Sequence, residues 1–133
     1  MTSEANYANV ELTFHYHPEE LPVSCVKDQL KQVILNLMKN ALQAMPFGGN
    51  LSIYLDKQSD RCRITVTDNG IGMEEEQISQ AFNPFYTLKK DGSGLGLTVC
   101  KRIIDSYGGE IKIKSNLDQG TQVEILLPLV AQS

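Results

Sequence analysis

Asn36 and Asn40 stand four residues apart in a stretch otherwise dominated by leucine, valine, isoleucine and methionine. On a helix that spacing stacks the two amides on one face. Gln29, Gln32 and Gln43 extend the same polar stripe. A solvated helix face accounts for any one of these residues. Two asparagines among so many apolar neighbours also suit a second use. Amide oxygens ligate Mg²⁺ without adding charge, and amide NH₂ groups donate to phosphate.

A second constellation is Asp68-Asn69-Gly70-Ile71-Gly72-Met73. Asp-Asn-Gly by itself reads as an Asx turn. Asp68, however, closes an apolar alternating run, which places its carboxylate at the rim of a core. There it can accept a hydrogen bond from an exocyclic amine such as the N6 group of adenine. Gly70 and Gly72 would let the backbone pass close to a flat base.

The third is Gly92-Ser93-Gly94-Leu95-Gly96-Leu97. Glycines at a helix start expose backbone N–H groups to a phosphate, and the helix dipole assists. Alone this is a weak signal. A dinucleotide fold is excluded because no strand precedes the loop and no βαβ unit surrounds it. The Walker lysine pattern and the protein-kinase His-Arg-Asp loop are also absent.

The elements that must position these residues follow from hydrophobic period. Val10, Leu12, Phe14 and Tyr16 alternate with polar residues, a strand that Pro18 and Pro22 close. Helical spacing runs over about residues 25–45 and stops at Pro46-Phe47-Gly48-Gly49. Leu51, Ile53 and Leu55, then Cys62, Ile64 and Val66, form a hairpin turning at Asp60. Residues 74–82 read as a short helix with acidic residues in its first turn. Residues 83–93 have no period and read as a mobile loop. A helix over about residues 94–107 stops at Gly108-Gly109, and two alternating strands follow near 110–115 and 121–127. This order predicts an α+β two-layer sandwich: a mixed, mostly antiparallel sheet of about five strands with three helices on one face.

At 133 residues the chain is one domain, residues 1–133, able to bury roughly two-thirds of its unfolded surface. The net charge of -4 argues against a nucleic-acid backbone as the main partner, while leaving room for a small anionic ligand. Cys25, Cys62 and Cys100 are odd in number and widely spaced, which fits free thiols in a reducing cytoplasm. No apolar run approaches the ~20 residues of a membrane-spanning helix, and the polar first nine residues are no signal peptide. Direct membrane contact by this domain is not expected; any anchor belongs to other segments of the parent.

Taken together the constellations resemble the ATP-binding catalytic domain of bacterial sensor histidine kinases. Gln32-Val33-Ile34-Leu35-Asn36-Leu37-Met38-Lys39-Asn40-Ala41 resembles the asparagine box, and residues 68–73 resemble the first glycine box. Phe82-Asn83-Pro84-Phe85-Tyr86-Thr87-Leu88-Lys89 resembles the phenylalanine box, and residues 92–97 the second glycine box. Gly120-Thr121, followed by an apolar strand ending at Pro128, matches the family's close. The four boxes keep their order over about residues 10–128. Their form is similar to the branch that includes sporulation kinases.

The resemblance implies the Bergerat-type fold of the gyrase, heat-shock chaperone, histidine kinase and mismatch-repair ATPases. It assigns Asp68 to the adenine amino group, with Thr121 nearby through water. It assigns Mg²⁺ to Asn40 and Asn36, and implies nucleotide contacts by Gly70, Gly72, Thr87, Lys89, Gly92, Gly94, Leu95, Gly96 and Leu97. Residues 83–95 become a lid over the triphosphate. The implied activity is transfer of the ATP γ-phosphoryl group to a histidine on a separate dimerisation domain of the same kinase, and from there to a response regulator in two-component signalling. The sensor and dimerisation domains are absent from this stretch.

Some positions depart from the family pattern. Val26 stands where relatives carry an acidic helix cap, with Ser24 as a substitute. Gln43 stands where many carry lysine, which leaves one phosphate contact open. Asn36 occupies the place of the water-activating glutamate of the hydrolysing members, and an amide is no general base. That counts against an ATP hydrolase or serine kinase. The intact Asp68, Asn40, Gly92, Gly94 and Gly96 count against a degenerate binding module. His15 and His17 lie in a strand pattern rather than a His-Glu helix and read as solvent-facing residues, so the phosphoryl acceptor is expected elsewhere.

Overall fold

The computed structural model describes residues 10–15, 21–82 and 95–130. The elements run β1 (Val10–His15), α1 (Lys27–Gln43), β2 (Gly49–Gln58), β3 (Arg61–Asp68), α2 (Glu75–Gln80), α3 (Leu95–Ser106), β4 (Glu110–Asn116) and β5 (Gly120–Pro128). The strands form one sheet in the order β1-β2-β3-β5-β4. β1 runs parallel to β2, with α1 as the crossover, and the other pairs are antiparallel. This is the α+β sandwich expected from the pattern.

Period-two alternation gives the sheet one apolar face. Leu51 and Ile53 on β2, Cys62, Ile64 and Val66 on β3, Val123, Ile125 and Leu127 on β5, and Ile111 on β4 all turn inward. They meet Val33, Leu37, Met38 and Ala41 of α1 and Leu97, Cys100 and Ile104 of α3. The burial on β1 fades along the edge strand. Val10 is buried and Leu12 half-buried, but Phe14 is 42% exposed. His15 is exposed and stacks on Tyr54 of β2, with ring centroids 4.4 Å apart.

α1 is fixed at both ends by partners far away in sequence. Its N-cap is Val26, which makes no side-chain cap, and Ser24 does not take that place. Instead the Tyr107 hydroxyl, just beyond α3, accepts the Val26 N–H at 2.9 Å and donates to the Gln29 side chain. At the other end the Ile71 N–H donates to the Ala44 carbonyl at 3.0 Å, docking the loop after β3. The predicted short helix is present as α2, with Gln77 accepting the Glu74 N–H at 2.8 Å. Among the described residues no helix is long and apolar enough to cross a membrane.

Candidate functional site

Three inward rows of the sheet end in a polar side chain. Cys62, Ile64 and Val66 lead to Asp68; Ile111 and Ile113 lead to Ser115; Thr121 precedes Val123, Ile125 and Leu127. Register sets these ends side by side. Asp68 pairs with Thr121 across β3–β5, and Thr121 pairs with Ser115 across β5–β4. The three form a transverse polar row where the apolar layer stops.

Asp68 is 7% exposed. Its Oδ1 accepts the Gly70 N–H at 2.9 Å and the Thr121 N–H at 3.3 Å. Among the described residues its Oδ2 takes no hydrogen bond. Burial pushes the carboxyl above the usual aspartate range, and the two N–H donors oppose that rise. Beyond Thr121 the row continues through Ser115, whose Oγ lies 2.8 Å from Thr121 Oγ1, accepts the Met73 N–H at 2.8 Å and donates to the Gly120 carbonyl at 2.9 Å.

Asp68 and Thr121 of this row form one wall of a cavity of about 290 Å³, with Ser115 behind them. Leu37, Asn40, Ala41 and Ala44 of the α1 region face it, and Val66, Ile71, Met73, Leu97, Ile113 and Val123 make the lining mostly apolar, with Gln43 and Gln77 also on it. Ligand pockets run from roughly 300 Å³ upward, mostly apolar with a few fixed polar groups. This one has the size for a flat heteroaromatic base, with Asp68 and Thr121 as its polar end.

Two glycines let the backbone close around this end. Gly72 has φ +71° and Gly120 φ +106°, the left-handed region that side chains disfavour. A methyl at Gly72 would collide with the Asn116 carbonyl, and one at Gly120 with the Asp68 carbonyl. At Gly70 a methyl would meet the Ala44 carbonyl. A flat base was the neighbour expected for Gly70 and Gly72. The atoms that exclude a side chain at both positions are protein carbonyls, although Gly72 still lines the cavity.

The residues singled out by sequence are thus partly brought together. Asn40, Asp68, Gly72, Leu97 and Thr121 surround one cavity, and Gln43 reaches its edge. Gly70 lies immediately behind. Asn36 sits one turn back on α1 and is not part of the lining; its Nδ2 donates to Cys100 Sγ on α3 at 3.9 Å. The Cys100 thiol donates in turn to the Val33 carbonyl at 3.8 Å, and burial pushes its pKa up to about 11. Leu95 and Gly96 open α3. Thr87, Lys89, Gly92, Gly94 and His17, with the lid expected over residues 83–95 except Leu95, lie outside the described residues. Phe82, at the edge of that stretch, packs on the core, and its carbonyl accepts the Thr98 hydroxyl at 3.2 Å.

Sequence reasoning missed Ser115, Ala44 and Ile113, and read Met73 only as the last residue of the 68–73 motif. The signal for Ser115 was present: a polar residue ending an inward apolar row, as at Asp68. The packing of Ala44 and Met73 around the cavity carried no such mark.

Residues 25–131 match the family described as "Histidine kinase-, DNA gyrase B-, and HSP90-like ATPase". Sporulation kinase D of Bacillus subtilis (strain 168) is 49% identical over 130 residues, covering 97% of this chain and 26% of the relative. Sensor histidine kinase ZraS of Salmonella typhimurium is 37% identical over 133 residues, covering 99% of this chain and 29% of the relative. The chain therefore spans under a third of the length of these curated relatives. Among solved structures, a nucleotide-free catalytic domain of histidine kinase ThkA superposes with a TM-score of 0.86 at 30% identity, covering 98% of this chain and 87% of that one. Full-length ShkA in complex with AMPPNP gives 0.87 at 23% identity, covering 100% of this chain and 28% of that one, a likeness of fold.

Proposed function

The chain belongs to the histidine kinase-, DNA gyrase B- and HSP90-like ATPase family, and from that premise we propose that it binds Mg²⁺·ATP in the cavity between α1 and the β3–β5–β4 strand ends and donates the γ-phosphoryl group to a histidine on a separate domain of the same kinase. The observation that carries this reading is Asp68: a buried carboxylate with Oδ1 saturated by backbone donors and Oδ2 without a partner among the described residues, at the polar end of an apolar cavity. Such an oxygen calls for a donor, and the exocyclic amine of adenine supplies one. The apolar walls at Leu37, Ala41, Val66 and Ile113 take the faces of the ring.

The donor set fits Mg²⁺ that arrives on the triphosphate. Among the described residues no group of three or more His, Cys, Asp or Glu side chains could hold a metal by itself. Mg²⁺ is commonly held by one or two protein oxygens together with substrate phosphates. Asn40, at the helix side of the cavity, would be one such ligand, with Asn36 a turn behind it. When bound, the ion neutralises phosphate charge.

The remaining residues account for what the domain leaves to its partner. Asn36 is an amide and Cys100 a neutral buried thiol, so neither takes a proton from water. His15 stacks on Tyr54 at the sheet edge formed by β1. The nucleophile therefore comes from outside, and the rate from placing an imidazole in line with the γ-phosphorus. The phosphoryl group leaves ADP, forms a P–N bond, and passes next to a response regulator. ATP supply places this work in the cytoplasm. The net charge of -4 favours this small anionic ligand over a nucleic-acid backbone.

The test uses radiolabelled ATP and the histidine-bearing dimerisation domain of the same kinase. Acid-labile, base-stable label is expected on the dimerisation domain only when the two are mixed. Label on His15 or His17, or brisk phosphate release by the chain alone, would instead indicate a hydrolase of the same family.

A further inference from the structure

The hydroxyl protons of the polar row can be assigned by counting donors and acceptors. Ser115 Oγ has one proton and two lone pairs. It lies 2.9 Å from the Gly120 carbonyl oxygen, which can only accept, so the Ser115 proton is committed there. One lone pair takes the Met73 N–H at 2.8 Å. The remaining contact, 2.8 Å to Thr121 Oγ1, then forms only if Thr121 donates into the second lone pair. Ser115 is saturated, and the Thr121 proton points away from the cavity.

The consequence falls on Thr121, which lines the cavity beside Asp68. With its proton held by Ser115, its hydroxyl offers the cavity lone pairs only. The ionised Asp68 carboxylate likewise offers only lone pairs. The polar end is therefore an acceptor pair, which favours an amino group, or a water that donates, and repels a carbonyl oxygen. A freely turning threonine would lack this sign, because it could donate to a carbonyl as readily as it accepts from an amine.

We infer that Ser115 is a positioning residue for base selection: it fixes the direction of the Thr121 hydroxyl and so makes the site discriminate a 6-amino from a 6-oxo purine nucleotide. The inference rests on the reading of the cavity as the base pocket. Loss of the Ser115 hydroxyl releases the Thr121 proton and leaves Asp68 as the sole fixed acceptor.

The test compares ATP with inosine triphosphate, which differs in carrying a carbonyl at the 6-position and a proton on N1. Affinities of the 133-residue chain for both are measured by calorimetry. Ser115→Ala is expected to lower the ATP-to-ITP affinity ratio by about three- to tenfold, the range for one hydrogen bond. General loosening of the fold would weaken both nucleotides alike and leave the ratio unchanged. Ser115→Thr, which keeps the hydroxyl, is expected to restore the ratio. Thr121→Val reads the same hydroxyl with Ser115 in place and should lower the ratio similarly, whether or not Ser115→Ala folds well. In the double variant the two effects should not add, because Ser115 acts through Thr121. An unchanged ratio in Ser115→Ala, or additive effects in the double variant, overturns the inference while leaving the base pocket standing. A wild-type chain that fails to bind ATP, or binds ATP and ITP equally, overturns the base-pocket reading itself.

Discussion

The two ends of the cavity hold their polar groups in different ways. At the strand end, Asp68, Thr121, Ser115 and Met73 are joined by hydrogen bonds of 2.8–3.3 Å that saturate Ser115 and Asp68 Oδ1. At the helix end, one turn behind the lining residue Asn40, the Asn36 amide rests on a sulfur at 3.9 Å. Sulfur is a soft, weak acceptor, and leaving it costs little. The strand end is preorganised and the helix end can change partners. That division suits a nucleotide site: a base is selected by fixed donors and acceptors, while a triphosphate and its metal need ligands that can adjust.

Breaking the strand end should produce the largest effect. Gly120→Ala puts a methyl against the Asp68 carbonyl at φ +106°. Combining backbone strain with a clash against unyielding backbone, the loss is expected to be about 3 kcal/mol or more. A urea unfolding midpoint close to wild type would show that the strand end yields to a methyl group and is not preorganised.

Asp68 itself should trade stability for recognition. Burial raises its folded-state pKa above the unfolded value, so the folded protein holds that proton more tightly. The resulting stabilisation is full below the unfolded aspartate range and is lost as pH rises through the raised folded value. The substitution Asp68→Asn keeps an oxygen for the Gly70 and Thr121 N–H groups without a buried charge. This variant is therefore expected to unfold at higher urea than wild type at neutral pH, with the gap closing as pH falls through that window. A wild type that is the more stable of the two at neutral pH would contradict the assigned cost of burying the charge.

The start of α1, outside the cavity lining, responds to a smaller change. Tyr107→Phe removes the acceptor of the Val26 N–H and the donor to Gln29, with an expected cost of about 1 kcal/mol. Because it acts on the position of α1, it should leave the ATP-to-ITP ratio intact while altering nucleotide affinity. A shifted ratio would mean that the two ends are not independent.

Thiol labelling should show the least. Burial holds the Cys62 and Cys100 thiols protonated, each pKa pushed up to about 11. Cys25 is half-buried. Alkylation of the native chain near neutral pH, followed by mass spectrometry, should mark Cys25 first and spare Cys100. Early labelling of Cys100 would show that α1 and α3 separate at Asn36.

These differences also govern what could be read in advance. The strand ending at Asp68 was legible because alternation marks the inward row and Asp-Asn-Gly marks its end. The α1 helix was legible from the spacing of Val33, Leu37, Met38 and Ala41, and both glycine-rich stretches stood out by composition. The contacts of Ser115 did not, although it ends an inward row, because its partner Met73 is 42 residues away and only the docking of the loop after β3 onto the β4–β5 hairpin brings them together. The helix start was read from local capping chemistry at Ser24, whereas a tyrosine 81 residues away satisfies Val26. Neither contact leaves a local pattern. Phe14 was expected to face inward by alternation, but at an edge strand fewer neighbours cover it.

Recognition of ATP rests on the Asp68 carboxylate reading the base. Its most direct test is calorimetric titration of Mg²⁺·ATP into the wild-type chain and into Asp68→Ala. Wild type should bind saturably, and the variant with an affinity lower by about ten- to a hundredfold, as expected for a hydrogen bond to a charged group. Equal affinity in the two proteins would contradict it.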